Sequence, residues 1–129
     1  SDVCSSDLCD KHRDKPNSIG DMFLIGDVEG KDVVLVDDMV DTAGTITKAA
    51  DLIMSKGAKS VRAVASHCVM SGPANERIEA SALKEIVFTD SIPYRGSCSK
   101  VKTISIADLF AETIRCVMNN EPISPQFLI

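Results

Sequence analysis

The sequence lacks the features that mark metal-bound, disulfide-linked and membrane-spanning proteins. Its five cysteines are widely spaced with no CxxC pair, and its two histidines lie far apart, so neither a zinc site nor a disulfide framework is supported. Reduced thiols are expected, and His12 and His67 are expected to have structural or polar-contact roles. No apolar run approaches the roughly 20 residues that cross a bilayer, and the N-terminus lacks the basic-then-apolar order of a secretory signal. These absences predict a cytoplasmic protein with no membrane partner.

Positive charge is scarce and scattered along the chain. The 14 Lys and Arg residues are outnumbered by 19 Asp and Glu residues, which gives a formal net charge of -5 and no basic stripe of the kind that binds nucleic acid. A small molecule or another protein is therefore the expected partner. The 129 residues, of which 44% are apolar, are enough for one domain with a hydrophobic core.

Two common ligand-binding loops are also missing. No GxxxxGK[ST] string occurs, so a Walker-type ATP loop is absent. Asp37, Asp38 and Asp41 lie close together, but they follow an apolar strand pattern, and Thr42 stands where a calcium loop needs its turn glycine. A calcium loop of the EF-hand type is therefore not supported.

The chain does contain a regular alternation of strand and helix patterns. Continuous Val and Leu in residues 32–38 predict a strand buried on both faces, as in parallel sheets. A helix pattern follows this strand, and Gly57 is placed to end that helix. The order predicts an α/β fold, a parallel sheet covered by helices. Further strands are predicted over 60–70, 84–90 and 100–106, and helices over 45–57, 74–81 and 107–120, the last with an apolar side of Leu109, Phe110, Ile114 and Val117.

The N-terminal part follows a different pattern. Residues 21–32 contain turn-like Gly26 and Gly30 between short apolar pieces, which predicts a small β-hairpin flag before the first sheet strand. Residues 1–17 are small, polar and charged and are expected to form a mobile loop. Residues 1–8 suit no element and are interpreted as a non-native leader, a vector, assembly or processing remnant.

The most informative stretch is VVLVDDMVDTAGT, residues 33–45. Its three carboxylates repel one another, so a compensating cation or a ring of donors is expected nearby. A loop that leads from the carboxyl end of a strand into a helix points backbone N–H groups at an anion, and residues 41–45 occupy that place. Small side chains, Gly44 and the hydroxyls of Thr42 and Thr45 therefore predict a phosphate site.

Two carboxylates precede that loop. Ionised Asp37 and Asp38 only accept hydrogen bonds, so they suit either sugar hydroxyls or a hard divalent cation. Together with the loop they predict that a phosphorylated sugar binds with magnesium. The alternative is structural: the two aspartates merely end a strand and Thr45 caps a helix.

Several segments resemble the ribose-phosphate diphosphokinases, the enzymes that make phosphoribosyl diphosphate, and follow that family's order. VVLVDDMVDTAGT resembles their ribose 5-phosphate loop, a signature related to that of the type I phosphoribosyltransferases. CDKHRDKP resembles their catalytic flexible loop and GDVEGKDVVLVDD their flag-to-strand passage. SHCVMSGPANERIEAS resembles the following loop and helix, and TDSIP with SCSKVKTISIADLFAETI resembles the C-terminal end. The resemblance covers residues 9 to 128.

The resemblance implies a fold like that of the type I phosphoribosyltransferases and a reaction. The diphosphoryl group of ATP would pass as a unit to the anomeric hydroxyl of ribose 5-phosphate, with magnesium as the cofactor. The products would be AMP and phosphoribosyl diphosphate, for nucleotide biosynthesis. Family members are also homo-oligomers that phosphate and ADP regulate at a site between subunits.

The resemblance implies roles for individual residues as well. Asp37 and Asp38 would hold the ribose hydroxyls, directly or through magnesium. Lys11 and Arg13 would close over the diphosphoryl group, where their charge suits the oxygens of a phosphoryl-transfer transition state. Ser99 resembles part of the regulatory site. The 5-phosphate would be held by the loop residues Asp41, Thr42, Ala43, Gly44 and Thr45.

The chain departs from the family in its length. Residues 9–129 resemble only part of the C-terminal domain, without the N-terminal domain or the strands before the flexible loop. ATP would contact residues of the absent part, so the chain by itself is expected to be inactive. One alternative is a transferase or a non-catalytic regulatory subunit that binds the sugar phosphate. Another is a phosphoacceptor domain, because VVLVDD resembles the strand end of response regulators, although the adjoining TAGT argues against it.

Overall fold

A computed structural model describes residues 8–11 and 22–124, with side chains from residue 26 onward. After residue 31, strands and helices follow one another in the order that the sequence predicts, which confirms the α/β fold. The strands are β1 (Leu8–Lys11), β2 (Met22–Ile25), β3 (Asp32–Val40), β4 (Ser60–Cys68), β5 (Leu83–Thr89) and β6 (Val101–Ile104). The helices are α1 (Gly44–Ser55), α2 (Ala74–Ala80) and α3 (Ala107–Met118).

Strands β3 to β6 form one parallel sheet in the order β3-β4-β5-β6. The pairing of β3 with β4 runs from Asp32↔Ser60 to Val40↔Cys68. Because all four strands run in the same direction, their carboxyl ends meet at one edge of the sheet, where open α/β proteins bind ligands. The loops that follow β3, β4 and β5 therefore lie side by side at that edge.

Helices α1 and α2 cover one face of this sheet. Successive strand residues point to opposite faces, and in β4 the residues on the covered face, Val61, Ala63 and Ala65, are almost fully buried. Ile53 of α1 and Ile78 of α2 belong to the same hydrophobic cluster. Burial of a side chain of this size contributes about 1.5–3 kcal/mol. The cluster therefore holds both helices, and the loops that precede them, in place at the carboxyl edge.

Helix α1 ends at the predicted glycine. Gly57 has a φ of +89°, a left-handed conformation, and its N–H donates to the carbonyl of Met54 at 3.1 Å. The carbonyl of Gly57 in turn accepts from the N–H of Gly30 at 2.8 Å. This bond joins the end of α1 to the turn that leads into β3.

The opposite face of the sheet is largely exposed. Val34 and Val36 of β3 are 55% and 81% exposed, and Val64 of β4 is 40% exposed. The prediction that the first sheet strand is buried on both faces is therefore wrong. A continuous apolar run indicates two buried faces only if the strand is covered on both sides, whereas β3 is an edge strand whose neighbours α1 and α2 lie on one side.

Helix α3 also exposes its apolar side. Leu109, Phe110, Ile114 and Val117 are between 44% and 63% exposed, whereas Cys116 is buried. The predicted amphipathic helix is confirmed, but its apolar side lacks a cover within the described part of the chain. None of the helices in residues 22–124 is both long and apolar enough to cross a membrane.

A small antiparallel sheet precedes the main one, and it corrects two predictions. β1 pairs with β2 from Leu8↔Ile25 to Lys11↔Met22. The predicted flag is therefore formed by these two strands. The prediction put both strands within residues 21–32, but only β2 lies there. The backbone of β1 is also a strand where a mobile loop was expected. Of the predicted leader, Leu8 belongs to β1, and residues 1–7 lie outside the described chain.

Candidate functional site

The candidate site lies at the carboxyl end of β3, in the loop that enters α1. Ala43 is the residue immediately before the helix and has φ +59° and ψ +5°, a left-handed conformation that residues with a Cβ rarely adopt. Its side chain is only 4% exposed. Gly44, which the sequence singled out as the permissive residue, instead begins α1. The tight turn of the loop therefore depends on Ala43.

Within the described chain, the start of α1 has neither a side-chain hydrogen-bond cap nor an acidic residue in its first turn. The alternative that Thr45 is the cap is wrong, because α1 already begins at Gly44 and Ala43 occupies the cap position. The N–H groups of a first helical turn have no partner inside the helix, so they are suited to hold an anion.

Thr47, which the sequence analysis did not single out, fixes the loop from inside. Its hydroxyl donates to the carbonyl of Ala43 at 2.7 Å, and its N–H donates to the same carbonyl at 3.1 Å. The side chain is buried, so both bonds are shielded from water. The conformation of Ala43 is therefore held by the first full turn of the helix.

Residues that follow β4, in the connection to α2 and in α2 itself, also hold the loop in place. The N–H of Ser71 donates to the carbonyl of Asp41 at 3.0 Å, and its hydroxyl donates to the carboxylate of the same residue. Arg77 of α2 donates from Nη1 to the carbonyl of Thr42 at 2.9 Å. Neither Ser71 nor Arg77 was predicted. The sequence contained one indication of Arg77: the three neighbouring carboxylates were expected to need a compensating positive charge. Arg77 brings such a charge to this loop.

Asp37 and Asp38 lie inside β3 and not at its tip, because the strand continues to Val40. Both side chains are exposed, and each accepts one backbone hydrogen bond from the next residue: Asp37 Oδ1 from the N–H of Asp38 at 2.9 Å, and Asp38 Oδ1 from the N–H of Met39 at 2.7 Å. Adjacent strand residues point to opposite faces of a sheet. The two carboxylates therefore lie on different sides of β3.

The positions of Asp37 and Asp38 bear on whether this site could hold magnesium. In the described residues no three acidic, His or Cys side chains are grouped to hold a metal ion. Mg²⁺ commonly keeps several waters and binds through one or two carboxylates together with substrate oxygens. The exposed carboxylates of Asp37 and Asp38 fit that mode, in which one carboxylate and the oxygens of a bound sugar phosphate share the ion.

The remaining predicted residues are not brought to this site by the described structure. Lys11 is the last residue of β1, and its side chain and the whole of Arg13 lie outside the described part. Ser99 precedes β6, at the amino end of the sheet, where its N–H and hydroxyl donate to Glu79 at 3.0 and 2.7 Å. Its role in regulation stays a prediction.

Glu79 joins Ser99 to the neighbouring cysteine. The thiol of Cys98 donates to Glu79 at 2.9 Å, and this bond and that of the Ser99 hydroxyl lower the pKa of the Glu79 carboxyl. Burial, followed by the bond to the carboxylate, raises the pKa of the Cys98 thiol. The thiol is therefore kept protonated, which agrees with the prediction of reduced thiols. Cys68, Cys98 and Cys116 are free and buried.

A separate cavity of about 290 Å³ lies beyond the ends of β4 and β5. It is lined by residues of the loops after those strands, among them Met70 and Arg95, and by Asn75 of α2. The hydroxyl of Tyr94 donates to Asn75 at 2.7 Å and accepts from the N–H of Cys98 at 2.8 Å. Nearby, Nδ1 of His67 lies 2.9 Å from the hydroxyl of Ser91, which is the polar-contact role expected for this histidine.

Known proteins resemble this chain over nearly its whole length. The family model of the phosphoribosyl synthetase-associated domain matches residues 8–128. The ribose-phosphate pyrophosphokinase of Porphyromonas gingivalis is 61% identical over 117 residues, which are 91% of this chain and 37% of that protein. That of Helicobacter hepaticus is 53% identical over 120 residues, which are 93% of this chain and 39% of that protein. These similarities confirm the resemblance that the motifs carry.

A solved structure supports the fold independently. The crystal structure of phosphoribosylpyrophosphate synthetase from Mycobacterium smegmatis matches this chain with a TM-score of 0.74 at 39% identity. The match covers 78% of this chain and 34% of that one. The chain therefore spans less than two fifths of the length of these relatives.

Proposed function

Since the chain belongs to the phosphoribosyl synthetase-associated family, we propose that its loop from Asp41 to Thr45 binds the 5-phosphate of ribose 5-phosphate. The observation that carries the proposal is the uncapped start of α1, which follows the left-handed Ala43 and faces no acidic residue of its own first turn. A phosphate dianion would accept hydrogen bonds from the backbone N–H groups of the first turn of α1 and from the hydroxyls of Thr42 and Thr45.

The sugar would extend from the phosphate back along β3. Asp37 and Asp38, four to five residues before Thr42, are exposed acceptors on different sides of β3. One of them would accept from the sugar hydroxyl groups directly, and the other would act through magnesium. Magnesium, shared between one of these carboxylates and the oxygens of the ligand, would neutralise phosphoryl charge and orient the reacting groups.

In a protein of the full length of these relatives, the proposed reaction is transfer of a diphosphoryl group from ATP. The anomeric hydroxyl oxygen of ribose 5-phosphate bonds to the β-phosphorus of ATP, the bond from that phosphorus to the α–β bridging oxygen breaks, and the hydroxyl loses its proton. AMP leaves and phosphoribosyl diphosphate remains. Lys11 and Arg13 would balance charge on the transferred group. ATP binding and assembly into a homo-oligomer would need polypeptide beyond this chain, so we infer that the chain binds the sugar phosphate but does not turn it over.

An amide NMR titration with ribose 5-phosphate and Mg²⁺ tests the binding proposal. We expect shifts centred on residues 42–45, and we expect Asp37→Asn combined with Asp38→Asn to weaken binding by about ten-fold, as loss of charged hydrogen-bond partners does. Asp108→Asn, at the exposed start of α3, is the matched control and should bind as the wild type does. A dispersed, folded spectrum that ribose 5-phosphate leaves unchanged would refute the site.

A further inference from the structure

Arg77 is a basic residue that the fold brings to the phosphate loop. It lies on α2, and its Nη1 donates to the carbonyl of Thr42 across 35 positions of sequence, at 2.9 Å. A Cβ added at Gly44 would lie 3.4 Å from the same nitrogen. The guanidinium therefore lies against the backbone of the loop, next to the first residue of α1.

The charge of Arg77 is not neutralised within the described chain. Arg62, Lys102 and Arg115 are each in an ion pair with a glutamate at 3.0 Å or less. Arg77 forms no ion pair with any residue that the structure describes, and the one hydrogen bond of its side chain there is to the neutral carbonyl of Thr42. A guanidinium has five N–H donors, so most of its donors remain for a ligand.

The loop itself supplies negative charge and no positive charge. No Lys or Arg occurs from residue 32 to residue 47, whereas Asp37, Asp38 and Asp41 do. An anion bound at the start of α1 would be repelled by these carboxylates. A cation held against the loop by the neighbouring helix offsets that repulsion, because opposite charges at close range stabilise each other.

We propose that Arg77 is a positioning residue that holds the loop around residues 42–44 in its phosphate-binding conformation and makes that subsite selective for an anion. The bond from Arg77 holds the Thr42 carbonyl toward α2. The backbone N–H groups of the residues after Thr42 can then point to the ligand. The remaining guanidinium donors add charge at the edge of the subsite. This inference rests on the proposed binding of ribose 5-phosphate to the same loop.

Amide hydrogen exchange without any ligand tests the positioning role. Glutamine at position 77 is shorter and uncharged, so in Arg77→Gln the exchange of the amides of residues 43–47 should become faster. Arg95→Gln replaces an exposed arginine that has no bond to this loop, and it should leave that exchange unchanged. Equal exchange in Arg77→Gln and the wild type would overturn the positioning role whether or not a ligand binds.

Titrations with ribose 5-phosphate and with ribose separate charge from packing. In Arg77→Gln the affinity for ribose 5-phosphate should fall by about ten-fold or more, since charged hydrogen bonds are the strong ones, while any binding of ribose stays the same. Arg77→Lys keeps the charge and should recover part of the loss. If Arg77→Gln binds ribose 5-phosphate as tightly as the wild type does, the proposal is wrong although the site itself stands. If the wild type does not bind it, the proposed function fails, and the exchange experiment alone decides on Arg77.

Discussion

At the scale of single residues, Ala43 sets the shape of the phosphate loop. A left-handed backbone costs a residue with a Cβ about 1–2 kcal/mol, and such conformations persist where the surroundings impose them. Here the two bonds from Thr47 to the Ala43 carbonyl and the burial of the methyl group impose it. Position 43 therefore needs a side chain that is small and not branched at Cβ.

Ala43→Val is expected to destabilise the fold and to weaken phosphate binding. A β-branched residue adds strain in the left-handed region. Overpacking of a buried site costs about 1–3 kcal/mol more. Urea unfolding measures the free-energy change. Ala111→Val, on the exposed side of α3, is the matched control and should cost no more than about 0.7 kcal/mol. Equal losses in the two variants would mean that position 43 is not conformationally special.

At the scale of elements, α2 supports two separate loops. Its Arg77 reaches the phosphate loop, and its Asn75 and Glu79 hold the loop from Tyr94 to Ser99. The second loop has little regular structure, so its position depends on these side-chain bonds. A Cβ at Gly96 would approach the Tyr94 hydroxyl and Asn75 Oδ1 to within 2.4 and 2.5 Å, so only glycine fits over that bond.

Glu79 makes the anchoring of this second loop dependent on pH. Its folded pKa is lowered from 4.5 by the Cys98 thiol and then by the Ser99 hydroxyl. The ionised carboxylate therefore contributes stability above the unfolded pKa, and this contribution is lost as the pH falls through the lower folded pKa. In Glu79→Gln the free energy of unfolding should be lower than in the wild type at neutral pH, and the difference should shrink in acid.

Urea unfolding at neutral pH and at several pH values below 4.5 checks this expectation for Glu79. Glu76→Gln, in the first turn of the same helix, is the control for loss of one negative charge. A gap between Glu79→Gln and the wild type that stays constant down to strongly acid pH would contradict the linkage.

The elements show which parts of the structure were readable from sequence. Apolar runs and helical periodicity are local patterns, so strands β3 to β6 and helices α1 to α3 were predicted to within a few residues. The contact of Arg77 with Thr42 and the pairing of β1 with β2 join residues far apart in sequence. No local pattern encodes such partners. Within the site, the loop was therefore predicted, whereas its supports Thr47, Ser71 and Arg77 were not.

At the scale of the whole molecule, one side of the sheet is left uncovered by the part of the chain that the structure describes. Val36 and Val64 are adjacent on the uncovered face, because they pair in the register of β3 with β4. Around them Glu85 accepts from Arg62 at 3.0 Å and from Lys102 at 2.6 Å, which gives this face a charged border. The chain spans 37% and 39% of two relatives, so most of the polypeptide of those relatives has no counterpart here.

The exposed apolar face should bind a hydrophobic dye such as anilinonaphthalene sulfonate, because apolar surface beyond a few hundred Å² is unusual in soluble monomers. Val36→Lys should reduce the dye fluorescence, since a charge then stands in the middle of the face. The side chain is 81% exposed, so the substitution should change the free energy of unfolding by no more than about 0.5 kcal/mol. Ala80→Lys, at the exposed end of α2, adds the same charge elsewhere and should keep the full dye signal. An equal signal from both variants would place the dye on α3 instead, and Phe110→Lys, at a position that is 57% exposed, would then remove it.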